Sequence, residues 1–261
     1  MAEARGAGNA LAQLRHRVVV SCQASPGSPL RRAFVISRMA ASVVGAGAAG
    51  VRIDSPEHIT AVKRAVDVPL IGLWKAGAHG VYITPTLKHA LAVAKAGADI
   101  VAIDGTARRR PDGLGLAEVI RRLHSDVGAV VLADVASVAD GLAAAECGAD
   151  AVATTLVGLV GNDADGSEAP ALHGPALGAL TELVARVDVP VIAEGGITSP
   201  AEARAAIACG AWCVVIGKAI TSPDWLTARF VYAVTDRDDG SGVSDRIRPT
   251  AVPSPLRGSG A

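Results

Sequence analysis

Apolar residues gather into short, β-branched runs that alternate with longer Ala-rich stretches, most of them ending on glycine. Runs at 17–22 (R-V-V-V-S-C), 51–53, 69–75 (P-L-I-G-L-W-K), 100–106 (I-V-A-I-D-G-T), 129–135, 151–155 (A-V-A-T-T), 189–193 and 212–216 predict eight buried strands. Between them, 30–44, 55–66, 87–96, 115–125, 137–147, 175–187 and 200–209 predict helices, with an extended stretch at 81–86 and an amphipathic last helix at 224–234. Ser199-Pro200 shows the punctuation: a hydroxyl cap, a proline at the first helical position, and Gly210 at the far end. Gly97-Ala98-Asp99, Gly148-Ala149-Asp150 and Gly210-Ala211-Trp212 repeat one helix-to-strand junction, as stacked βα units would. The expected fold is α/β, a single (β/α)8 TIM barrel over 17–235. A polar leader at 1–16, read as a short helix under the barrel, precedes it, and a disordered tail at 236–261 follows. The Gly/Asp/Pro-rich segment 157–175 reads as a lid.

A chain of 261 residues suits one such barrel, which typically takes about 250. Half of its residues are hydrophobic but only 3% are aromatic, so the core must be aliphatic. Lys plus Arg balance Asp plus Glu at 25 each, which gives no net field for nucleic acid. No apolar stretch reaches the roughly 18–20 uncharged residues of a membrane helix, and the amino terminus has no signal-peptide centre. A soluble, cytoplasmic protein is expected. The four cysteines form no C-x-x-C pair and no ligand spacing with histidine, so no metal site is expected and the thiols read as small buried hydrophobes. Gly45 to Gly50 spell G-x-G-x-x-G, but they leave a helix and enter a strand, the reverse of a dinucleotide fingerprint.

In a barrel of this type the chemistry sits at the carboxyl ends of the strands. Glu194 with Gly195 and Gly196, and Gly217 with Lys218, end the last two strands, where glycine loops commonly hold a phosphate. Lys218 could equally point to solvent or pair with Asp224. Lys75 ends the third strand as a candidate base or phosphate ligand, the plainer reading being a lysine reaching for solvent. Gln23 would face the site after the first strand. Arg52 and Asp54 lie in and at the end of the second, either lining the site or paired structurally. Among Arg108, Arg109 and Arg110, one could contact substrate, and Asp134 lies near the end of the fifth strand.

These stretches, taken together, resemble the N-acetylmannosamine-6-phosphate 2-epimerase family. The matching pieces are V-S-C-Q at 20–23, V-R-I at 51–53, P-L-I-G-L-x-K ending at Lys75, A-G-A-D-I-V-A-I-D-G-T at 96–106, R-x-R-P at 108–111, A-D-V at 133–135, D-G-L-A-A-A at 140–145, T-T-L at 154–156, V-I-A-E-G at 191–195 and A-I-T at 219–221. The resemblance implies interconversion of N-acetylmannosamine 6-phosphate and N-acetylglucosamine 6-phosphate in sialic acid breakdown. It also implies no metal or organic cofactor, a phosphosugar as the small-molecule partner, and a homodimer. Lys75 and Glu194 would be the catalytic pair, with Gln23, Arg52, Asp134 and Arg108 lining the substrate. Gly195, Gly196, Gly217 and Lys218 would hold the phosphate. The family usually carries a basic residue where Gly196 stands and arginine where Ser222 stands, so two positive charges are missing here. Two rivals remain at this point: another phosphosugar isomerase or lyase on the same scaffold, and a barrel that binds a phosphosugar without turnover.

Overall fold

The computed structural model describes residues 7–77, 80–159 and 174–235. The eight apolar runs form β1 (Val18–Ser21), β2 (Gly50–Asp54), β3 (Leu70–Leu73), β4 (Ile100–Asp104), β5 (Val130–Asp134), β6 (Ala151–Ala153), β7 (Val191–Glu194) and β8 (Cys213–Ile216). All pair in parallel in sequence order, and β8 returns to β1 to close the barrel. The intervening helices are α2 (Ala33–Gly45), α3 (Pro56–Lys63), α4 (Leu87–Lys95), α5 (Leu116–Val127), α6 (Val138–Glu146), α7 (Leu177–Arg186) and α8 (Pro200–Ala208), preceded by α1 (Ala7–Gln13). Side-chain caps start three of them: Thr86, Ser137 and Ser199 each accept a backbone N–H from the first turn. The Gly45 to Gly50 run joins the end of α2 to β2, running from helix to strand, the reverse of a dinucleotide fingerprint.

Parallel strands are buried on both faces, so their continuous apolar runs conceal a division of labour with period two. One parity (Val20, Val51, Ile53, Leu70, Val101, Ile103, Val131, Ala133, Val152, Val191, Ala193, Val214) packs outward with the helices in one core. The other (Val19, Ile71, Leu73, Ile100, Ala102, Val130, Leu132, Ala151, Ala153, Ile192, Cys213, Val215) fills the barrel. Leu11 and Leu14 join this inner core from the amino-terminal segment, and the Trp212 indole N–H donates to the Leu11 carbonyl at 2.8 Å. The leader is therefore less polar in effect than its composition: two leucines plug the barrel floor.

Continuing the inner parity beyond the apolar layers reaches Gln23, Arg52, Asp54, Lys75, Asp104, Asp134, Thr155, Glu194 and Gly217. The fold thus converts strand period into a polar mouth over an apolar floor.

Two features differ from the sequence expectation. Lys218–Thr221 forms a short helix, α9, directly after β8, where only a loop end was expected. The last helix, α10 (Pro223–Thr235), opens a separate unit from Pro223 onward and buries none of its side chains among the described residues. Most of the lid reading, at 160–173, lies outside the described residues, as does the tail at 236–261. Among the described residues no helix is long and apolar enough to cross a membrane.

Candidate active site

Arg52 is the centre of the mouth. It is 1% exposed, and a buried guanidinium needs partners for both charge and N–H groups. Asp134 meets it in a two-point fork, Nη1 to Oδ1 at 3.0 Å and Nη2 to Oδ2 at 2.7 Å. Glu194 takes a further bond from Nη1 at 2.5 Å, and Thr155 donates its hydroxyl to Asp134 at 2.5 Å. Burial opposes the charge on Arg52, but Asp134 and then Glu194 outweigh it, so it is held more firmly protonated than a free arginine. One guanidinium thus serves two carboxylates. Glu194 loses: burial, with Asp134 adding to it, raises its carboxyl well above the ordinary glutamate range despite Arg52.

Lys75 stands at the opposite wall, because β3 and β7 are four strands apart in an eight-stranded ring. Its ammonium donates to Gln23 Oε1 at 2.7 Å, and Gln23 in turn donates to the Ser21 hydroxyl at 2.8 Å. The residue is exposed at the mouth, yet the surrounding protein displaces part of the water about its ammonium. That loss of water lowers its proton affinity below that of an ordinary lysine; Asp54 opposes the fall and Arg52 adds to it. The acid and the base are therefore displaced towards each other, which brings proton transfer between them and a substrate closer to balance.

Two glycines follow Glu194 in left-handed conformation, Gly195 at φ 102° and Gly196 at φ 70°. A side chain at 196 would overlap the Gly174 carbonyl and come within 2.9 Å of the Pro175 nitrogen. The N–H groups of Gly195, Gly196 and Gly217 have no hydrogen-bond acceptor among the described residues. By contrast, Glu202 occupies the donors at the head of α8, accepting from Thr198 N at 2.7 Å and Ser199 N at 2.9 Å. An anion at this edge of the mouth would find the glycine donors free and those of Thr198, Ser199 and Glu202 taken. Lys218, at the start of α9, is exposed and makes no ion pair among the described residues. Gly196→Ala is expected to lose at least ~1 kcal/mol of stability, since both conformation and space reject a methyl. Gly178→Ala in α7, where nothing lies within 4 Å, should instead be neutral or gain roughly 0.5–1 kcal/mol. Thermal melts of the two variants check the contrast.

Residues 36–236 match the family described as "Putative N-acetylmannosamine-6-phosphate epimerase". The chain belongs to this epimerase family. A relative from Cutibacterium acnes that carries the same designation as a 2-epimerase is 49% identical over 222 residues, covering 84% of this chain and 94% of its own. One from Thermosynechococcus vestitus is 44% identical over 233 residues, with 88% and 99% covered. Among solved structures, the N-acetylmannosamine-6-phosphate 2-epimerase of Clostridium perfringens superposes with a TM-score of 0.80 at 33% identity, covering 85% of this chain and 95% of that one.

With Gly174 pressed against it, position 196 has no room for a side chain. Arg108 is more constrained than a free substrate ligand. It bonds Thr106 Oγ1 at 3.0 Å, the Gly80 carbonyl at 2.8 Å and Asp104 Oδ2 at 2.6 Å, and only 13% of its side chain is exposed. Arg110 is buried against the carbonyls of Thr84 and Asp104, and Arg109 is exposed. Sequence reasoning missed Thr155, Asp104 and Tyr82. Thr155 and Asp104 carry the inner parity, which could have found them; Tyr82 lies on the segment after β3 that returns as Ile83 pairs with Lys75, packs on the inner core, and left no periodic signal. Burial pushes the Cys22 and Cys213 thiols up to about 12, so neither supplies a thiolate nucleophile.

Proposed function

We propose that this chain interconverts N-acetylmannosamine 6-phosphate and N-acetylglucosamine 6-phosphate by removing and returning the proton on C2, with Lys75 and Glu194 as its acid/base groups. Membership of the epimerase family supports the reaction. The observation that carries the residue roles is the pair itself: an amine with lowered and a carboxyl with raised proton affinity on opposite walls of one mouth.

In the open-chain sugar the C2 hydrogen is α to the aldehyde, so its loss leaves an enolate whose negative oxygen must be stabilised. The Arg52 guanidinium, fixed by Asp134, holds a permanent positive charge in the mouth. Gln23 and Arg52 orient Lys75 and Glu194 through the bonds described above. A sugar lying between the walls presents one face of C2 towards β3 and the other towards β7, so deprotonation and reprotonation on opposite faces need no rotation of the substrate. A binding barrel without turnover would have no use for this pair. The glycine N–H groups at 195, 196 and 217 would hold the phosphate, and Lys218 would add charge. Ser222, where the family generally has arginine, is one helical turn beyond Lys218 in α9, with Ser222 N donating to the Lys218 carbonyl at 3.3 Å.

Incubation of the purified protein with N-acetylmannosamine 6-phosphate should give N-acetylglucosamine 6-phosphate until the two stand at a fixed ratio, and the unphosphorylated sugar should remain unchanged. No product from the phosphosugar at high protein concentration would refute the proposal. Lys218→Ala should raise KM about tenfold or more with kcat nearly constant, the signature of a lost charge-assisted contact of roughly 1.5–3 kcal/mol. Adding Ser222→Arg to that variant should recover the affinity; an unchanged KM in Lys218→Ala would leave Lys218 outside the site.

The profile of kcat/KM against pH should be a bell narrower than unperturbed groups would give. Its acid limb belongs above the ordinary glutamate value of about 4.3, because Glu194 is raised, and its alkaline limb below the ordinary lysine value of about 10.4, because Lys75 is lowered. A plateau extending to both ordinary values would contradict these assignments.

A further inference from the structure

Asp54 stands outside the acid/base chemistry proposed above, yet it is 2% exposed at the floor of the same mouth. Its Oδ1 accepts the backbone N–H of Lys75 at 2.9 Å. Its Oδ2 faces Arg31 Nη1 at 3.2 Å as an ion pair without hydrogen-bond alignment, and the same Nη1 donates to the Ala24 carbonyl at 3.0 Å. The chain bends sharply to bring this carboxylate into place. Ser55 adopts φ 81° and ψ 144°, a region that favours glycine, while its N–H donates to the Leu73 carbonyl at 2.8 Å. His58 Nδ1 lies 3.0 Å from the Asp54 carbonyl and secures the other side. Strain in a serine, a buried carboxylate and an arginine from the loop before α2 all converge on the backbone of one lysine.

We propose that Asp54 is a positioning residue for Lys75: it fixes the backbone from which the ammonium reaches Gln23 and places a negative charge behind it, with Arg31 as the outer counterweight. The proposal rests on the reading of Lys75 as an acid/base group. The other groups facing Lys75 are Gln23 from the end of β1, Arg52 on β2, Asp134 on β5 and Glu194 on β7. Of the charges among them, Asp54 has the largest influence on the lysine, opposing the effect of burial.

Trace acylation of the folded, substrate-free protein across pH, with mass spectrometry of the Lys75 peptide and exposed Lys88 as internal reference, reads the lysine directly. In Asp54→Asn, which keeps an oxygen to accept the Lys75 N–H, the midpoint of Lys75 reactivity should move to lower pH while kcat at its optimum stays within a few-fold. In Arg31→Met the midpoint should move the other way, because the carboxylate is no longer shared. Asp54→Ala removes the anchor as well and should lower kcat roughly 10- to 100-fold with little change in KM, the cost of a misplaced acid/base group. Should the alanine variant fail to fold, the opposite shifts of the other two still decide. Unmoved midpoints in both Asp54→Asn and Arg31→Met, or full activity in a folded Asp54→Ala, would overturn the proposal. Because the acylation needs no substrate, its outcome is separate from whether the unmodified protein epimerises anything.

Discussion

Lys75→Met is expected to lower kcat by about 10²- to 10⁴-fold, the range typical of a lost acid/base group, with the melting temperature unchanged. The side chain is water-accessible and its one side-chain bond among the described residues is to Gln23, so methionine removes the proton carrier without opening a buried void. Glu194→Gln should cost turnover on the same scale, since the amide still accepts from Arg52 but cannot exchange a proton at C2. Comparing the two variants in heavy water separates their tasks. If each wall serves one face of C2, one variant will still incorporate deuterium into its substrate without epimerising it. If either variant retained near-normal kcat, that residue would leave the catalytic pair.

Arg52→Leu should be the most destabilising single change at the mouth. Leucine fills much of the same volume, but Asp134 and Glu194 would then share a buried space without a cation. Leaving one side of a buried pair uncompensated costs roughly 3–5 kcal/mol, which for a chain of this size corresponds to a fall of about 6–20 °C in Tm. The sign with pH follows from the same charges. With the guanidinium gone, both carboxyls would bind protons more tightly in the folded than in the unfolded chain. The deficit should therefore be small at acid pH and grow as pH rises through their folded values. Thermal melts from acid to neutral pH check this; a deficit that shrank with rising pH would mean the carboxylates are not held together by Arg52. Arg52→Lys keeps the charge but not the fork, and should recover only part of the loss.

Strands, helices and their order were legible because apolar runs and capping residues are local signals. Which side of each strand faces inward was not, since V-V-V-S or I-V-A-I is apolar on both faces. Arg52, Lys75, Asp134 and Glu194 all carry one parity; Lys75, Asp134 and Glu194 stand out at or near strand ends, and Arg52 as a charge inside its strand. Their partnerships were hidden, because Arg52 meets Asp134 82 residues away and Glu194 142 residues away. The sequence leaves open whether Arg52 lines a site or forms an ion pair; the structure shows the ion pair, with Asp134 and Glu194. Gly196 read as a phosphate loop, but the backbone of Gly174 pressing on it is a tertiary contact with no sequence signature. The four-residue α9 is too short for a helical period to show, and α10 has an apolar pattern yet buries no side chain among the described residues. The link from Asp54 to the Lys75 backbone depends on how β2 and β3 lie side by side, with Asp54 opposite Leu73, which only the barrel register reveals.

The most direct measurement is proton NMR of N-acetylmannosamine 6-phosphate in heavy water with the unmodified protein. Proton abstraction at C2 predicts that the C2 proton signal disappears as N-acetylglucosamine 6-phosphate grows in, carrying deuterium at that carbon. Product that appears with its C2 proton retained would contradict removal and return of that proton, and with it the roles assigned to Lys75 and Glu194.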